Sequence, residues 1–291
     1  MVLTNPNTAE PKPGAIAIVG VPFDEYSSHM LGCAEGPRHL RRALHSGATN
    51  WCAENGVDLA AEKQYQDLGD CVLESGDQAL DHIFDAFAHF LDCEARMIAI
   101  GGDHAITYPI VKAYARCYQP LTILHFDAHP DLYDAYDGNR HSHACPFARI
   151  MEKNLAKRLI QLGIRSINDH QKRQAERFGV EILEMRSWTG RLPADLQGPV
   201  YISLDLDVLD PAYAPGVSHH EPGGLSTRDV LSIIQQIRAP IVGADIVELN
   251  PKRDYQDMTA MVAAKCLKEI AGSMIQFPFK KELSSFIDRM R

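Results

Sequence analysis

Short unbroken apolar runs alternate along the chain with longer stretches in which apolar residues recur every third or fourth position. The short runs, at residues 15–21, 96–100, 122–126, 159–164, 180–185, 199–208 and 241–249, are too brief for helices and rich in β-branched residues, so they predict buried strands. The longer stretches predict helices. One starts at Gly36-Pro37, with proline near the first helical position, and another covers 77–95, with Leu80, Ile83, Phe84, Phe87 and Leu91 on one face. Further helices are predicted at 108–118, 147–155, 225–238 and 258–275, and two weaker apolar–polar alternations precede residue 77. Strand and helix take turns with no sequence repeat and no break in composition, an order that implies a parallel sheet covered on both faces. The expectation is one three-layer α/β/α domain over residues 15–291, preceded by a loose Pro- and Asn-rich arm at 1–14.

Composition narrows the partners. A net charge of −9 over 291 residues supplies no basic surface for phosphates, which argues against nucleic acid and favours small cationic substrates. The seven cysteines are scattered without a CxxC pair, so they read as buried apolar residues of a reducing compartment and not as a disulfide framework. The N-terminus lacks the basic and apolar regions of a signal peptide, and nowhere do eighteen apolar residues run together. A soluble cytoplasmic protein with no membrane partner is predicted.

The polar clusters fall where the predicted strands end. Gly101-Gly102-Asp103-His104 closes one strand, and Asp127, His129 and Asp131 close the next at every second position. Asp205 and Asp207 share a face at the end of a third, while Glu248 with Asn250-Pro251 closes the last. In parallel sheets ligands bind beyond the carboxyl ends of the strands, where the crossovers diverge. His104, Asp127, His129, Asp131, Asp205 and Asp207 make two imidazoles and four carboxylates, more anionic groups than one divalent ion needs and a fit for two ions sharing carboxylates. Oxygen ligands with one imidazole per ion suit Mn²⁺, although Fe²⁺, Co²⁺, Ni²⁺ and Zn²⁺ accept the same donors. Asp210, before a proline, is expected to cap a turn. Two partial motif matches fail: DLDV is similar to the start of haloacid-dehalogenase-like phosphatases but lies too late in the chain. DAHPD with GNRH is similar to binuclear metallophosphoesterases, yet Arg140 stands where their histidine belongs.

GGDHA, DAHPD, SLDLDVLDP and VELNP occur in that order, and with this spacing the chain resembles the ureohydrolase (arginase, agmatinase) family over nearly its whole length. The segments GNRHSHACPFARIME, YAPGVSHHEPGGLS and VELNPKRDYQDMTAMVAAK look most like the plant-type arginases. The resemblance implies two Mn²⁺ per subunit, one on His104, Asp127, Asp131 and Asp205, the other on His129, Asp127, Asp205 and Asp207, with Asp127 and Asp205 bridging. It implies hydrolysis of a guanidino group to urea and an amine by a hydroxide that the ions share. Glu248 matches the acid that clamps the guanidinium, and His143 the histidine that delivers a proton to the leaving amine or orients the substrate. L-Arginine is the expected substrate, with agmatine and guanidino acids as alternatives, and a homo-oligomer, trimer or hexamer, is implied.

Other readings of these residues stand beside that one. His141 is an alternative to His143, and Glu248 could pair on the surface with Lys252 or Arg253. Asp103 is expected to orient His104 or nearby backbone, and Gly101 and Gly102 to allow close backbone approach. Ala105 replaces the serine usual after the GGDH histidine. Asp134, Asp137, Asn139 and Arg140 are offered as contacts to the substrate's tail, while His219 and His220 carry no assigned role. A metal-binding but silent regulatory subunit is the alternative of a different class.

Overall fold

The computed structural model describes residues 10–279. Its strands are β1 (Ile16–Val21), β2 (Tyr65–Asp70), β3 (Arg96–Gly101), β4 (Thr122–Phe126), β5 (Arg158–Ile164), β6 (Glu181–Glu184), β7 (Val200–Asp205) and β8 (Ile241–Val247). Its helices are α1 (Gly36–Leu44), α2 (Asp77–Asp92), α3 (Thr107–Tyr114), α4 (Pro146–Glu152), α5 (Asp169–Phe178), α6 (Thr227–Gln236) and α7 (Met258–Gln276). All strands join one parallel sheet in the order β2-β1-β3-β8-β7-β4-β5-β6. Alternate residues feed opposite faces. Ile16, Ile18, Ile98, Ile100, Leu124 and Phe126 pack with α1, α6 and α7, whereas Ala17, Val19, Met97, Ala99 and Ile123 pack with α2, α3 and α4. Both faces are therefore dry, which is why the central strands read as apolar runs. The three-layer α/β/α fold follows. Of the proposed arm, residues 1–9 lie outside the described residues.

Four departures from the periodicity have physical causes. Helix α5 has no counterpart in the apolar pattern because only Gln171, Gln174 and Ala175 face inward. Strand β2 lies at a sheet edge and buries only Leu68. The other weak alternation before α2 gives an isolated bridge between Cys52 and Asp58. Finally, β7 stops at Asp205, and residues 206–208 wind into a 3-10 turn.

The chain passes from β3 to β4 by leaving a gap that β7 and β8 fill later. The four strands that carry the polar clusters, β3, β8, β7 and β4, are thereby neighbours. Behind them the backbone is drawn tight at Gly102, where an added Cβ would overlap the Phe23 carbonyl. The Asp103 N–H donates to Phe23 O at 2.8 Å, and the Glu248 N–H donates to Gly102 O at 2.8 Å. Gly102→Ala is expected to lower stability by about 1–3 kcal/mol, the usual cost of overpacking, read as a lower urea midpoint at unchanged m-value.

Candidate metal centre and the cavity beside it

Two register rows build the site. In the lower row Gln161 of β5, His125 of β4, Ser203 of β7 and Asp245 of β8 stand side by side across four strands. All four are fully buried. Two residues further along their strands, Asp127 and Asp205 occupy the same face at the sheet's carboxyl edge. The lower row orients the upper one. Gln161 Nε2 lies 2.6 Å from Pro130 O, an acceptor, so it is the amide nitrogen and donates at 3.0 Å to His125 Nδ1. His125 Nε2–H must then donate to Asp127 Oδ2, at 2.8 Å. Burial pushes this imidazole down to about 4, which keeps it neutral and in that tautomer.

A parallel chain fixes His104. Asp245 accepts from Thr107 Oγ1, Tyr201 Oη and Ser203 Oγ at 3.0, 2.7 and 2.6 Å. Burial raises its pKa while the three hydroxyls oppose that shift. With its proton committed to Asp245, Ser203 Oγ can only accept from His104 Nε2, 2.9 Å away. The lone pair of His104 is therefore on Nδ1. That atom is buried and makes no hydrogen bond, yet it lies 3.2 Å from Asp127 Oδ2, 3.1 Å from Asp131 Oδ2 and 3.2 Å from Asp205 Oδ2. A buried lone pair facing three carboxylate oxygens is the donor set of a divalent cation.

The second group is distinct from the first. His129 Nδ1 lies 3.3 Å from Asp127 Oδ1 and 3.0 Å from Asp207 Oδ2. Asp127 thus presents one oxygen to each imidazole, the arrangement of a carboxylate shared between two ions. Asp205 offers Oδ2 to the His104 group while its Oδ1 accepts the Asp207 N–H at 2.8 Å. The expected common face of Asp205 and Asp207 is replaced by a turn that splits them between the two groups. Asp131 and Glu248 reach the site from left-handed backbone, at φ 51° and 65°, conformations that cost about 1–2 kcal/mol for residues with a Cβ. Burial and the neighbouring Asp127 push Asp131 up to about 6. Burial and Asp207 likewise raise Asp205.

Glu248 and His143 form one unit beside these groups. His143 Nδ1 lies 2.9 Å from Glu248 Oε1, which also accepts the His104 N–H at 3.0 Å, and the Cys33 thiol donates to Oε2 at 3.3 Å. Although burial opposes it, the hydrogen bond from His143 draws Glu248 down to about 2. Lys252 Nζ and Arg253 turn instead to the carbonyls of Leu31 and Ser218. His141 bonds Asp77 at 2.9 Å and stacks on Tyr108, away from Glu248. Asp103 accepts from the Ala105 and Tyr26 amides, each at 3.0 Å, and so shapes backbone. Asp210 caps its turn through the Ala212, Gly223 and Gly224 amides.

A cavity of about 450 Å³ opens over the cluster. His219 lines it, with its ring 5.3 Å from that of His143 and 5.9 Å from that of His129, whereas His220 bonds the Pro215 carbonyl and Arg253. The tail contacts expected from Asp134, Asp137, Asn139 and Arg140 do not form the wall. Arg140 pairs with Asp134 and Glu152, and Asn139 Oδ1 caps the His141 amide. The outer wall comes instead from residues 165–168 and Gln171, with Tyr133 and Tyr136. Arg165 there donates to the carbonyls of Asp207 and Glu221, both at 2.6 Å, and fixes the turn that carries Asp207.

The Arginase family model matches residues 14–272. The chain is 45% identical to Arginase 1, mitochondrial, of Arabidopsis thaliana over 276 residues, which is 89% of this chain and 80% of that protein. It is 32% identical to the agmatinase of Bacillus cereus, over 92% and 94% of the two chains. Among solved structures, the arginase from Medicago truncatula superposes with a TM-score of 0.84 at 40% identity, covering 90% of this chain and 87% of that one.

Proposed function

The chain belongs to the arginase family, and from that premise we propose that it is a dimanganese hydrolase that cleaves L-arginine to ornithine and urea. One observation carries the reading: Asp127 turns its two oxygens to two separate imidazoles, His104 and His129. His104, Asp127, Asp131 and Asp205 would hold one ion, and His129, Asp127, Asp205 and Asp207 the other. Bound there, two divalent ions supply Lewis acidity that makes a hydroxide nucleophile available near neutral pH.

The chain's own groups do the rest. Glu248, ionised beside the cavity, attracts a guanidinium and offers its oxygens to a planar fork of N–H donors. His143, bonded to it, can exchange the proton that the departing amine requires. The net charge of −9 draws cationic substrates toward the site. Arginine is preferred over agmatine because identity to the Arabidopsis arginase, 45%, exceeds that to the Bacillus cereus agmatinase, 32%.

The test is urea release from arginine, agmatine and guanidinobutyrate by protein stripped with a chelator and reloaded with Mn²⁺, Fe²⁺, Co²⁺, Ni²⁺ or Zn²⁺. Activity is expected to vanish on stripping and to return with Mn²⁺ at two ions per chain. Turnover of agmatine more than about tenfold faster than arginine, a margin of about 1.4 kcal/mol, would sink the substrate assignment. We further propose a homo-oligomer, trimer or hexamer, to be sized by light scattering. No described helix is long and apolar enough to cross a membrane. The free cysteines favour a reducing compartment such as the cytoplasm, which fractionation would check.

A further inference from the structure

After β1 the chain forms a strap over residues 24–35 that passes in front of the Glu248–His143 pair. Asp24 Oδ2 accepts the Gly32 and Ala34 amides at 2.6 and 3.2 Å, which closes the strap on itself. Tyr26 anchors its middle: its N–H donates to Asp103, its O accepts the His143 N–H at 3.2 Å, and its hydroxyl donates to Asp77 at 2.7 Å. Cys33, near the end of the strap, donates its thiol to Glu248. The remaining contact falls on the imidazole. Ser28 N lies 3.2 Å from His143 Nε2, and Ser28 Oγ lies 2.8 Å from the same atom.

A backbone amide can only donate, so Nε2 holds a lone pair there and the ring proton sits on Nδ1, facing Glu248. Both ring nitrogens are thus engaged, Nδ1 with Glu248 and Nε2 with Ser28. Ser28 is exposed and, with His143, lines the cavity.

Resting on the hydrolase reading above, we propose that Ser28 is a positioning residue for His143: its amide holds the Nδ1–H tautomer against Glu248, and its hydroxyl bonds Nε2 and joins it to the cavity. The amide contact survives any side-chain replacement other than proline, so the hydroxyl can be tested alone. A hydroxyl that merely decorated the strap would leave the ring unchanged when removed.

The experiment compares the parent, Ser28→Ala and Ser28→Thr as full-length, metal-loaded proteins. Kinetics are run on whichever of arginine and agmatine the parent hydrolyses, and the tautomer of His143 is read from ¹⁵N shifts of labelled histidine. Ser28→Ala is expected to lower kcat about tenfold or more, a part of what acid–base groups contribute, with KM within about twofold and metal content unchanged. Its Nε2 resonance moves as the hydrogen bond to the Ser28 hydroxyl is lost, and Ser28→Thr restores both readouts. The proposal is overturned if Ser28→Ala keeps kcat within about twofold, or if kcat falls while the Nε2 resonance stays as in the parent. Should the parent release urea from neither substrate, the hydrolase reading fails by itself, and an unchanged Nε2 resonance in Ser28→Ala would still overturn the positioning role.

Discussion

Asp127→Ala is expected to leave a chain that retains neither ion and releases urea at least about 10³-fold more slowly, since the ions contribute several kcal/mol of charge stabilisation. Asp127 is the residue whose oxygens face both imidazoles, Oδ2 toward His104 and Oδ1 toward His129. Asp131 faces only His104. The two variants should therefore differ in stoichiometry: plasma mass spectrometry should find close to no metal in Asp127→Ala and close to one ion per chain in Asp131→Ala. Equal loss from both would show that the two groups fill as one unit and that the division drawn here is wrong. His125→Ala offers a milder comparison, because that ring only donates to Asp127 Oδ2; removing such a supporting partner lowers metal affinity by about 10–100-fold.

Glu248→Ala should abolish urea production while both ions stay. Truncating one member of a buried hydrogen-bonded pair costs about 2–5 kcal/mol, or roughly 30- to 5,000-fold, and here the substrate loses its anionic partner as well. Glu248 Oε1 also accepts the His104 N–H, so the alanine variant could disturb a ligand's backbone. Glu248→Gln keeps an acceptor for that amide, and it should hold two ions per chain and still be inactive. A silent regulatory subunit would show no activity to lose in the parent. An active parent whose Glu248→Gln variant keeps its kcat would remove Glu248 from substrate binding.

Much of this was legible because chemistry and fold speak through the same positions. Asp127, His129 and Asp131 follow a strand whose apolar character ends where they begin, and the structure brings them to within reach of His104, Asp205 and Asp207. The lower row was harder to see. Gln161, His125, Ser203 and Asp245 each interrupt an apolar run, and single polar residues in strands are ordinary; only the register shows that they stand abreast. Register is a property of pairing between segments distant in sequence, so no local pattern carries it. Helix α5 is a different failure. Its apolar face is almost absent, yet its start was marked by Asn168 and Gln171, which exchange side-chain and backbone bonds as a capping box. The outer wall at residues 165–168 precedes that helix and carries no apolar pattern either, whereas the charged residues of the loop at 134–140 stay out of the cavity. Those charges are spent on one another: Arg140 and Arg149 both pair with Asp134.

The gap between β3 and β4 bears on how the molecule comes into being. A nascent chain that has emerged only as far as Asp131 already carries four of the six ligands, yet the two strands that must lie between them have not been made. Until β7 and β8 slot into place, His104 and Asp127 belong to separate fragments, and a cation can be gripped only weakly by either. The full proposed ligand set therefore exists only once β7 and β8 lie between β3 and β4, so the free energy of binding a metal there is free energy of completing the sheet.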